Sequence, residues 1–452
     1  MPQLKLFGTD GVRGKANSEK MNTEMALALG RAAAYFVRNS DELPQIVIGK
    51  DTRLSGYMLE TALASGITSM GLSVVKTGPL PTPGVAFICR SMRARLGVVI
   101  SASHNPADEN GIKFFGQDGF KLSQEQEKEI EEIFYKKMAK QQLAKPKNLG
   151  KIWQNEDAGG RYVQYLKERF PHRLTLKNIK IALDGANGAA YNVAPAVLSE
   201  LGAEVYAVGV RPNGLNINDK CGALYPEKIC EFTKKVGADI GITLDGDGDR
   251  VLLSDEKGRL VDGDAILYIS AKHLNAKGNL GKSTVVGTSM TNYGLDIALK
   301  KEKISLVRTD VGDHHVISYM LKHGINLGGE PCGHLIYLHH SQTGDGLLAA
   351  LRILSVMQQQ QKPLSELVKG YQPYPQKTVN VKVKIKKDFD KIAEIVKTKQ
   401  QIEKQLNNKG RVLLRYSGTE ALARVTVESR DNKTTNEMVK KLANVVSKHL
   451  GV

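Results

Sequence analysis

The feature that most restricts the fold is a repeated unit: a short β-branched run, a loop rich in Gly, Asp and Ser, and an amphipathic stretch. It occurs as QIVIGKDTRLSG before YMLETALASGITSMG, as IKIALDGANGAA before PAVLSELG, and as STVVGTSMTNYG before LDIALKK. Strand, loop and helix in this order are typical of βαβ units with mostly parallel sheets. Ligands bind in the loops that follow such strands, so functional residues are expected there.

The spacing of these units, about one set per hundred residues, predicts three related α/β domains in tandem. A connector stiffened by Pro373 and Pro375 then leads to a smaller fourth domain. The predicted domains span residues 1–153, 154–256, 257–368 and 374–452.

The fourth domain is predicted to be α+β. In TVNVKVKIKK the residues Val379, Val381, Val383 and Ile385 alternate with polar ones, which indicates a half-buried strand with all four on the inner face. FDKIAEIVKTKQ and TNEMVKKLANVVSKHL read as helices, and GRVLLRYSG and ARVTVES read as strands.

Composition limits the functional classes. The chain has 452 residues, of which 41% are hydrophobic and 25% charged, as in ordinary globular proteins. No apolar run approaches the roughly 18 residues of a membrane span, and the N-terminus has no signal-peptide core. We therefore expect a cytoplasmic protein with no membrane partner. Its cysteines, Cys89, Cys221, Cys230 and Cys332, form no CxxC pair and are expected to be free thiols.

The net charge of +17, from 64 Lys and Arg against 47 Asp and Glu, favours an anionic partner. A nucleic acid and a phosphorylated metabolite both fit this charge. The chain has one Trp, no zinc-finger spacing and no RNP-like aromatic strand, so no nucleic-acid partner is expected.

The stretch VVISASHNPADENGIKFFG ends an apolar run in a polar cluster. Ser101 and Ser103 are both candidates for an exposed nucleophilic hydroxyl at the strand end. A helix N-cap with an Asx turn around Asn105 is an equally good interpretation of the pattern alone.

The stretch ITLDGDGDRVLL places Asp245, Asp247 and Asp249 between two apolar runs. Three carboxylates so close repel one another unless a hard cation joins them, and oxygen ligands suit Mg²⁺ or Ca²⁺. The pattern is not an EF-hand, because Arg250 stands where that loop requires glycine. A metal site is therefore predicted.

Two further loops carry polar groups between glycines. GGEPCGHLIYL places Glu330 and His334 where they could bind sugar hydroxyls, although a surface turn explains the pattern equally well. RYSGTEALAR surrounds a tight loop with two guanidinium groups and two hydroxyls, which suits a phosphate dianion. Two strands joined by a turn with surface arginines are the alternative for this second loop.

Taken in order, these clusters resemble the α-D-phosphohexomutase family. The resemblance rests on FGTDGVRG at the start, SASHNP, DGDGDR, the GE..GH loop and R.SGTE near the end, and it extends to GPLPTPGVAF and NGLNIND.CG. It covers essentially the whole chain. It implies three related α/β domains with mixed, mostly parallel sheets and a smaller C-terminal domain, arranged around one central cleft.

The resemblance also implies which residues act. Ser103 would be the phosphorylated nucleophile and would bind Mg²⁺ together with Asp245, Asp247 and Asp249. Arg13 and Arg250 would add positive charge, and Lys113 and His334 are candidates for proton transfer. The implied substrate-binding residues are Glu330, Cys332, His334, Arg415, Ser417, Gly418, Thr419, Glu420 and Arg424.

The implied activity is that of an isomerase that moves a phosphoryl group within a phosphosugar through a 1,6-bisphosphate, with a hexosamine or hexose 1,6-bisphosphate as activator. FGTDGVRG and SGTE favour glucosamine phosphates, which would feed UDP-N-acetylglucosamine and cell-wall synthesis. Glucose or mannose phosphates are the alternative, since Pro331 and Cys332 depart from the family's usual sugar loop. A monomer or a homodimer is expected.

Overall fold

The computed structural model describes residues 6–8, 10–38, 45–407, 409–417 and 421–452. Within these ranges the strands form four sheets of six, five, four and three strands, in chain order. We refer to each sheet with its helices as domains I to IV. The expected fold class is confirmed, while the predicted residue limits of the domains stay a prediction.

Domain I has the sheet order β1-β5-β4-β2-β3-β6, in which β2, β3, β4 and β6 run parallel and β1 and β5 are antiparallel to their neighbours. Its central strands β2 and β4 are buried throughout, as their unbroken apolar runs require. The strands are β1 (Val12–Lys15), β2 (Gln45–Lys50), β3 (Ser73–Pro79), β4 (Leu96–Ile100), β5 (Glu109–Gly116) and β6 (Ile152–Gln154). The helices are α1 (Thr23–Val37), α2 (Ser55–Thr68), α3 (Thr82–Ser91) and α4 (Gln124–Tyr135).

Domain II has the order β11-β10-β9-β7-β8, with β9, β7 and β8 parallel and a hairpin formed by β9 and β10. This hairpin carries the DGDGDR loop. The strands are β7 (Lys180–Asp184), β8 (Glu204–Val208), β9 (Ile240–Leu244), β10 (Val251–Asp255) and β11 (Leu260–Val261). The helices are α5 (Ala158–Lys167), α6 (Val193–Glu200) and α7 (Pro226–Val236).

Domain III has the order β13-β12-β14-β15, of which only β15 is antiparallel to its neighbour. The strands are β12 (Thr284–Thr288), β13 (Ser305–Thr309), β14 (Leu327–Gly329) and β15 (Leu335–Tyr337). The helices are α8 (Gly263–Ala276), α9 (Tyr293–Lys301), α10 (Asp313–His323), α11 (Gly346–Gln360) and α12 (Leu364–Leu367). The three predicted strand–loop–helix units are therefore confirmed as β2–α2, β7–α6 and β12–α9.

Domain IV is an antiparallel sheet in the order β16-β18-β17, packed against two helices. Its elements are β16 (Gln376–Lys382), α13 (Ala393–Leu406), β17 (Gly410–Tyr416), β18 (Leu422–Ser429) and α14 (Asn432–Leu450). Short 3₁₀ turns elsewhere in the chain lie at Met138–Gln141, Pro146–Asn148, Gly222–Leu224, Gly281–Ser283 and Phe389–Lys391.

The predicted inner face of the first strand of domain IV is wrong at one position. Val381 and Val383 are buried, but Ile385 is 62% exposed. The strand ends at Lys382, because the next residues pair with the end of α14: Lys384 N–H donates to the Leu450 carbonyl oxygen at 2.9 Å. The chain thus leaves the sheet before Ile385 can reach its inner face.

One continuous apolar core joins domains I to III, while domain IV has a core of its own. Domain IV contacts domain III through the buried Glu428, whose carboxylate accepts a hydrogen bond from Tyr293 N–H at 2.8 Å. Arg411 pairs with Glu428 and also donates to the Thr291 carbonyl oxygen at 2.7 Å. Separate packing makes domain IV the part of the fold best suited to move as a unit.

In the described ranges, no helix has the length and apolarity that a bilayer span requires.

Helices α1 and α2 of domain I approach so closely that glycine is required at the crossing. A Cβ atom at Gly66 would lie 2.2 Å from the Leu27 carbonyl oxygen, and one at Gly30 would lie 2.5 Å from that of Leu63. These are backbone atoms, which cannot give way as a flexible side chain can.

We therefore expect Gly66→Ala to lower the free energy of unfolding by about 1–3 kcal/mol through overpacking, measured as a shift in the urea unfolding midpoint. Gly159→Ala in helix α5 is the matched control, because its new Cβ would meet only Val193 at an ordinary 3.7 Å. Equal midpoints for the two variants would contradict this account of the crossing.

Candidate active site

The loop that carries Ser103 follows β4, at the carboxyl end of the sheet of domain I. Ser103 is buried and has φ of +54°, a left-handed conformation that is unfavourable for serine. Its backbone is held on both sides. The N–H donates to Ser101 Oγ at 2.9 Å, and the carbonyl oxygen accepts from Asn218 Nδ2 at 2.9 Å and Arg53 Nη2 at 3.2 Å. The strained turn is therefore fixed by its surroundings.

A buried ion pair lies beneath this loop. Asp51 and Arg53 pair with each other, and neither side chain is exposed. Asp51 also accepts a hydrogen bond from Ser101 Oγ at 2.5 Å, while Arg53 donates to the Asn105 carbonyl oxygen at 2.5 Å. Sequence reasoning missed this pair, although KDTR follows β2, whose carboxyl end lies beside that of β4.

The DGDGDR loop of domain II meets the Ser103 loop directly. Ser103 Oγ donates a hydrogen bond to Asp245 Oδ2 at 2.6 Å. Between them the backbones come so close that a Cβ at Gly246 would lie 2.5 Å from the Ser103 carbonyl oxygen. The structure thus brings together the two clusters that the sequence separates by more than a hundred residues.

The three aspartates are suited to hold a cation. Asp245, Asp247 and Asp249 are buried, and each offers an oxygen within 4.8 Å of the others. Asp247 Oδ1 and Asp249 Oδ1 are buried oxygens without a hydrogen-bond partner, which a native site rarely leaves unmatched. Burial and the two neighbouring carboxylates raise the pKa of Asp245 well above its usual value. Oxygen ligands of this kind fit Mg²⁺.

Lys113, on β5, faces the aspartates from domain I. Its buried ammonium lies 3.0 Å from Asp247 Oδ2, 3.1 Å from Asp10 Oδ2 and 3.9 Å from Asp249 Oδ2. Burial alone would lower the pKa of Lys113, but these carboxylates raise it above its usual value. Lys113 is therefore a cation in this arrangement. Asp10 was not among the residues predicted to act.

His334 reaches the aspartates from domain III. An isolated antiparallel bridge pairs it with Arg250, and its Nδ1 lies 3.5 Å from Asp249 Oδ2. Burial alone would lower the pKa of His334, but Asp249 above all raises it to about 9. Its Nε2 is buried without a hydrogen-bond partner. A protonated imidazole thus has one N–H left for a ligand.

Arg13 lies beside the Ser103 loop and Arg250 beside the aspartates. Arg13 Nη1 donates to the Ala102 carbonyl oxygen at 3.2 Å, next to Ser103. Arg250 Nε lies 3.8 Å from Asp249 Oδ1. The backbone N–H of Arg250 donates to Asp245 Oδ1 at 3.2 Å.

Glu330 and Cys332 lie in the loop before β15. Glu330 Oε1 accepts a hydrogen bond from Gly312 N–H at 3.3 Å, at the start of α10. Cys332 is exposed, and its Sγ lies 3.9 Å from Glu330 Oε2. Both residues thus lie in the same loop of domain III as His334, which contacts Asp249.

The predicted phosphate clamp lies in domain IV. Arg415 on β17 and Arg424 on β18 are directly opposite partners in the ladder. Burial and the neighbouring Arg424 lower the pKa of Arg415. Like charges in such positions repel, and a bound dianion would offset that repulsion.

Other parts of the clamp are partly described. Ser417 is buried, and its carbonyl oxygen accepts from Lys386 Nζ at 2.6 Å. Arg415 Nη2 lies 3.7 Å from Met290 Sδ of domain III. These contacts do not join the clamp to the Ser103 cluster. Gly418, Thr419 and Glu420 lie outside the described residues.

Removal of one charge from the buried pair beneath the loop should destabilise the protein strongly. We expect Arg53→Met to lower the free energy of unfolding by about 3–5 kcal/mol, because it leaves the Asp51 carboxylate buried without its partner. Arg173→Met, at an exposed arginine, should change it by less than about 0.5 kcal/mol. Urea unfolding compares the two variants, and a small effect at Arg53 would contradict the role of the pair.

The aspartate cluster should bind a divalent cation. Titration with Mn²⁺, followed by electron paramagnetic resonance, should show one site in the unaltered protein. Asp247→Asn should weaken it at least about tenfold, because affinity depends on the number of charged ligands. Asp108→Asn, at an exposed aspartate that pairs with Lys15, should leave the affinity unchanged. Equal Mn²⁺ binding by Asp247→Asn and the unaltered protein would exclude the site.

Comparison with known families matches all four domains. The descriptions are those of phosphoglucomutase/phosphomannomutase, with alpha/beta/alpha domain I at residues 4–141, domain II at 160–258, domain III at 262–374 and the C-terminal domain at 379–445.

Full-length relatives and solved structures agree with this match. Phosphoglucosamine mutases of Citrifermentans bemidjiense and Myxococcus xanthus are each 52% identical to this chain, over 99% of it and 98% of their own length. The fold is similar to that of a phosphoglucomutase/phosphomannomutase family protein from Burkholderia thailandensis, with a TM-score of 0.82, 20% identity and all of both chains covered. It is also similar to Aspergillus fumigatus N-acetylphosphoglucosamine mutase in complex with GlcNAc-6P and magnesium, with a TM-score of 0.68, 18% identity, and 98% of this chain and 95% of that one covered. With its buried serine, aspartate cluster and four matched domains, this chain belongs to the phosphoglucomutase/phosphomannomutase family, the α-D-phosphohexomutases.

Proposed function

We propose that this chain acts as a phosphoglucosamine mutase, which interconverts glucosamine 6-phosphate and glucosamine 1-phosphate. The observation that carries the proposal is the 2.6 Å hydrogen bond from Ser103 Oγ to Asp245, which places a hydroxyl beside three clustered carboxylates. The choice of sugar rests on relatives of that name that match nearly the whole chain. The product would feed UDP-N-acetylglucosamine and cell-wall synthesis.

The first transfer starts from Ser103 in its phosphorylated form. The oxygen of the sugar C1 hydroxyl forms a bond to phosphorus as the bond from phosphorus to Ser103 Oγ breaks. The hydroxyl loses its proton and Ser103 Oγ regains one, so that glucosamine 1,6-bisphosphate and a neutral serine result. Lys113, 3.0 Å from Asp247, and His334, 3.5 Å from Asp249, would be the groups that hold or pass these protons.

The residues around Ser103 hold the charges that such a transfer requires. Asp245, Asp247 and Asp249, together with the phosphoserine, would hold Mg²⁺, which when bound neutralises charge on the transferring phosphoryl oxygens. Arg13, which contacts Ala102, and Arg250, which lies beside Asp249, would contribute fixed positive charge there. Burial of the cluster keeps water away from the phosphorylated serine.

The second transfer needs the bisphosphate to turn around. Its other phosphate then faces Ser103 Oγ, which takes the phosphoryl group from O6 and leaves glucosamine 1-phosphate. Arg415, Ser417, Gly418, Thr419, Glu420 and Arg424 would hold the distant phosphate in both orientations. Glu330, Cys332 and His334 would contact the sugar. A separately packed domain IV gives the intermediate room without releasing it.

The proposed phosphoserine can be tested by intact mass. We expect incubation with glucose 1,6-bisphosphate and Mg²⁺ to add one phosphate to the unaltered protein and none to Ser103→Ala. Ser103→Ala should also lower kcat by about 10⁴-fold or more, because the covalent step is lost. The same added mass on Ser103→Ala would place the phosphate elsewhere and refute the assignment.

The sugar is tested separately by comparing kcat/KM for glucosamine, glucose and mannose 6-phosphates. We expect the amino sugar to be preferred. A clear preference for glucose or mannose phosphate would instead assign the chain to the other activities of the family.

A further inference from the structure

A row of partly and fully buried charges of alternating sign connects domain III to the Ser103 cluster. It starts at Asp313 of domain III and continues through Lys121, Asp10 and Lys113 to Asp247. Side-chain exposure is 16% at Asp313, 12% at Lys121 and 27% at Asp10, and only 2% at Lys113 and 1% at Asp247. Solvent screens such a row weakly, so each charge affects the position of the next.

Asp10 is the branch point of this row, and its two oxygens have different partners. Oδ1 pairs with Lys121, while Oδ2 is shared by Arg13 and by Lys113, whose ammonium lies 3.1 Å away. Burial alone would raise the pKa of Asp10, but the three cations lower it well below its usual value. Asp10 is thus a carboxylate that contacts both Arg13 and Lys113 through one oxygen and Lys121 through the other.

Lys121 is held in turn from domain III. Its ammonium lies 3.1 Å from Asp313 Oδ2, and Asp313 Oδ1 accepts a hydrogen bond from His314 N–H at 2.8 Å. Asp313 is the first residue of α10, so the backbone of that helix fixes its carboxylate. Lys121 is therefore anchored between two carboxylates from different domains.

We propose that Lys121 and Asp313 are positioning residues for phosphoryl transfer. By occupying Asp10 Oδ1, Lys121 directs Oδ2 of the same carboxylate toward Lys113 and Arg13, and Asp313 keeps Lys121 in place. Neither residue touches the serine or the aspartate cluster in the described contacts. The inference rests on the proposed function, because Lys113 and Arg13 are the groups it positions.

Without Lys121, Asp10 has one free oxygen and two remaining cations. The carboxylate can then rotate so that Lys113 and Arg13 each take a separate oxygen, which moves both cations away from their places beside Asp247 and Ala102. We expect kcat to change more than KM. Lys113 and Arg13 lie beside the aspartate cluster and the Ser103 loop, and not at the sugar loop.

The first experiment measures kcat and KM for Lys121→Met and Asp313→Asn in the full-length protein with Mg²⁺. We expect kcat to fall about tenfold or more in each variant, as is usual for groups that orient a catalytic shell, with KM changed less than about twofold. The matched control is Lys136→Met, which removes the same charge from an exposed pair with Glu132. An unchanged kcat in folded Lys121→Met protein would overturn the proposal.

Exchanging the charges of Lys121 and Asp313 distinguishes two roles for this pair: positioning Asp10, or only joining domain I to domain III. In Lys121→Glu/Asp313→Lys the pair between domains is restored with opposite signs, but the glutamate now faces Asp10 with a like charge. We expect kcat to stay as low as in Lys121→Met. Recovery of kcat in the double variant would show that the pair only joins the domains, and would overturn the proposal.

The effect of Lys121 on Ser103 can be measured without the sugar substrate. The rate at which glucose 1,6-bisphosphate phosphorylates Ser103, followed by intact mass, should fall about tenfold or more in Lys121→Met and stay unchanged in Lys136→Met. The unaltered protein could become phosphorylated on Ser103 and yet prefer glucose or mannose phosphates as substrates. The proposed sugar would then be wrong, but the phosphorylation rates would still test the role of Lys121. If Ser103 never accepts phosphate, the proposed function and this inference both fail.

Discussion

The account depends on one contact: the hydrogen bond between Ser103 and Asp245, at the junction of two sheets. Each residue lies where a buried strand ends, Ser103 after β4 and Asp245 after β9. Neither loop is a site alone, since one offers a hydroxyl and the other a group of carboxylates. The close approach at Gly246 shows that the two loops fit together at a boundary between domains I and II, the kind of position where ligand sites commonly lie.

Burying so many charges is unfavourable unless their signs alternate. The site follows this rule, because cations surround its carboxylates. Domain I supplies Lys113 and Arg13, a loop of domain II supplies Arg250, and a loop of domain III supplies His334. Two aspartate oxygens, on Asp247 and Asp249, are left without hydrogen-bond partners, and this local imbalance is the physical reason to expect a divalent cation. The same alternation of charge continues outward through Asp10 and Lys121 to Asp313 of domain III.

The sequence was most informative where function is concentrated in a short segment. DGDGDR predicted a cluster of three carboxylates, and the structure brings them within 4.8 Å of one another. The resemblance selects Ser103 over Ser101 as the nucleophile, and that choice stays a prediction. The supporting residues could not be found this way. Arg53, Asn218 and Asp10 reach the site only through the order of strands and the packing of loops between domains. Asp10 and Asn218 lie in FGTDGVRG and NGLNIND.CG, which carry the family resemblance, but the sequence does not show what their side chains contact. The alternating pattern wrongly predicted that Ile385 lies on the inner face of a strand. Such a pattern cannot show that the chain leaves the sheet to pair with the end of a helix.

The central claim is that one metal and one phosphoserine share this junction. Electron–nuclear double resonance of the phosphorylated protein loaded with Mn²⁺ tests it most directly. The account predicts a strong ³¹P coupling, because a phosphate oxygen on Ser103 would be bound to the metal held by Asp245, Asp247 and Asp249. A bound Mn²⁺ with no coupled phosphorus, in protein whose mass shows the phosphate, would contradict it.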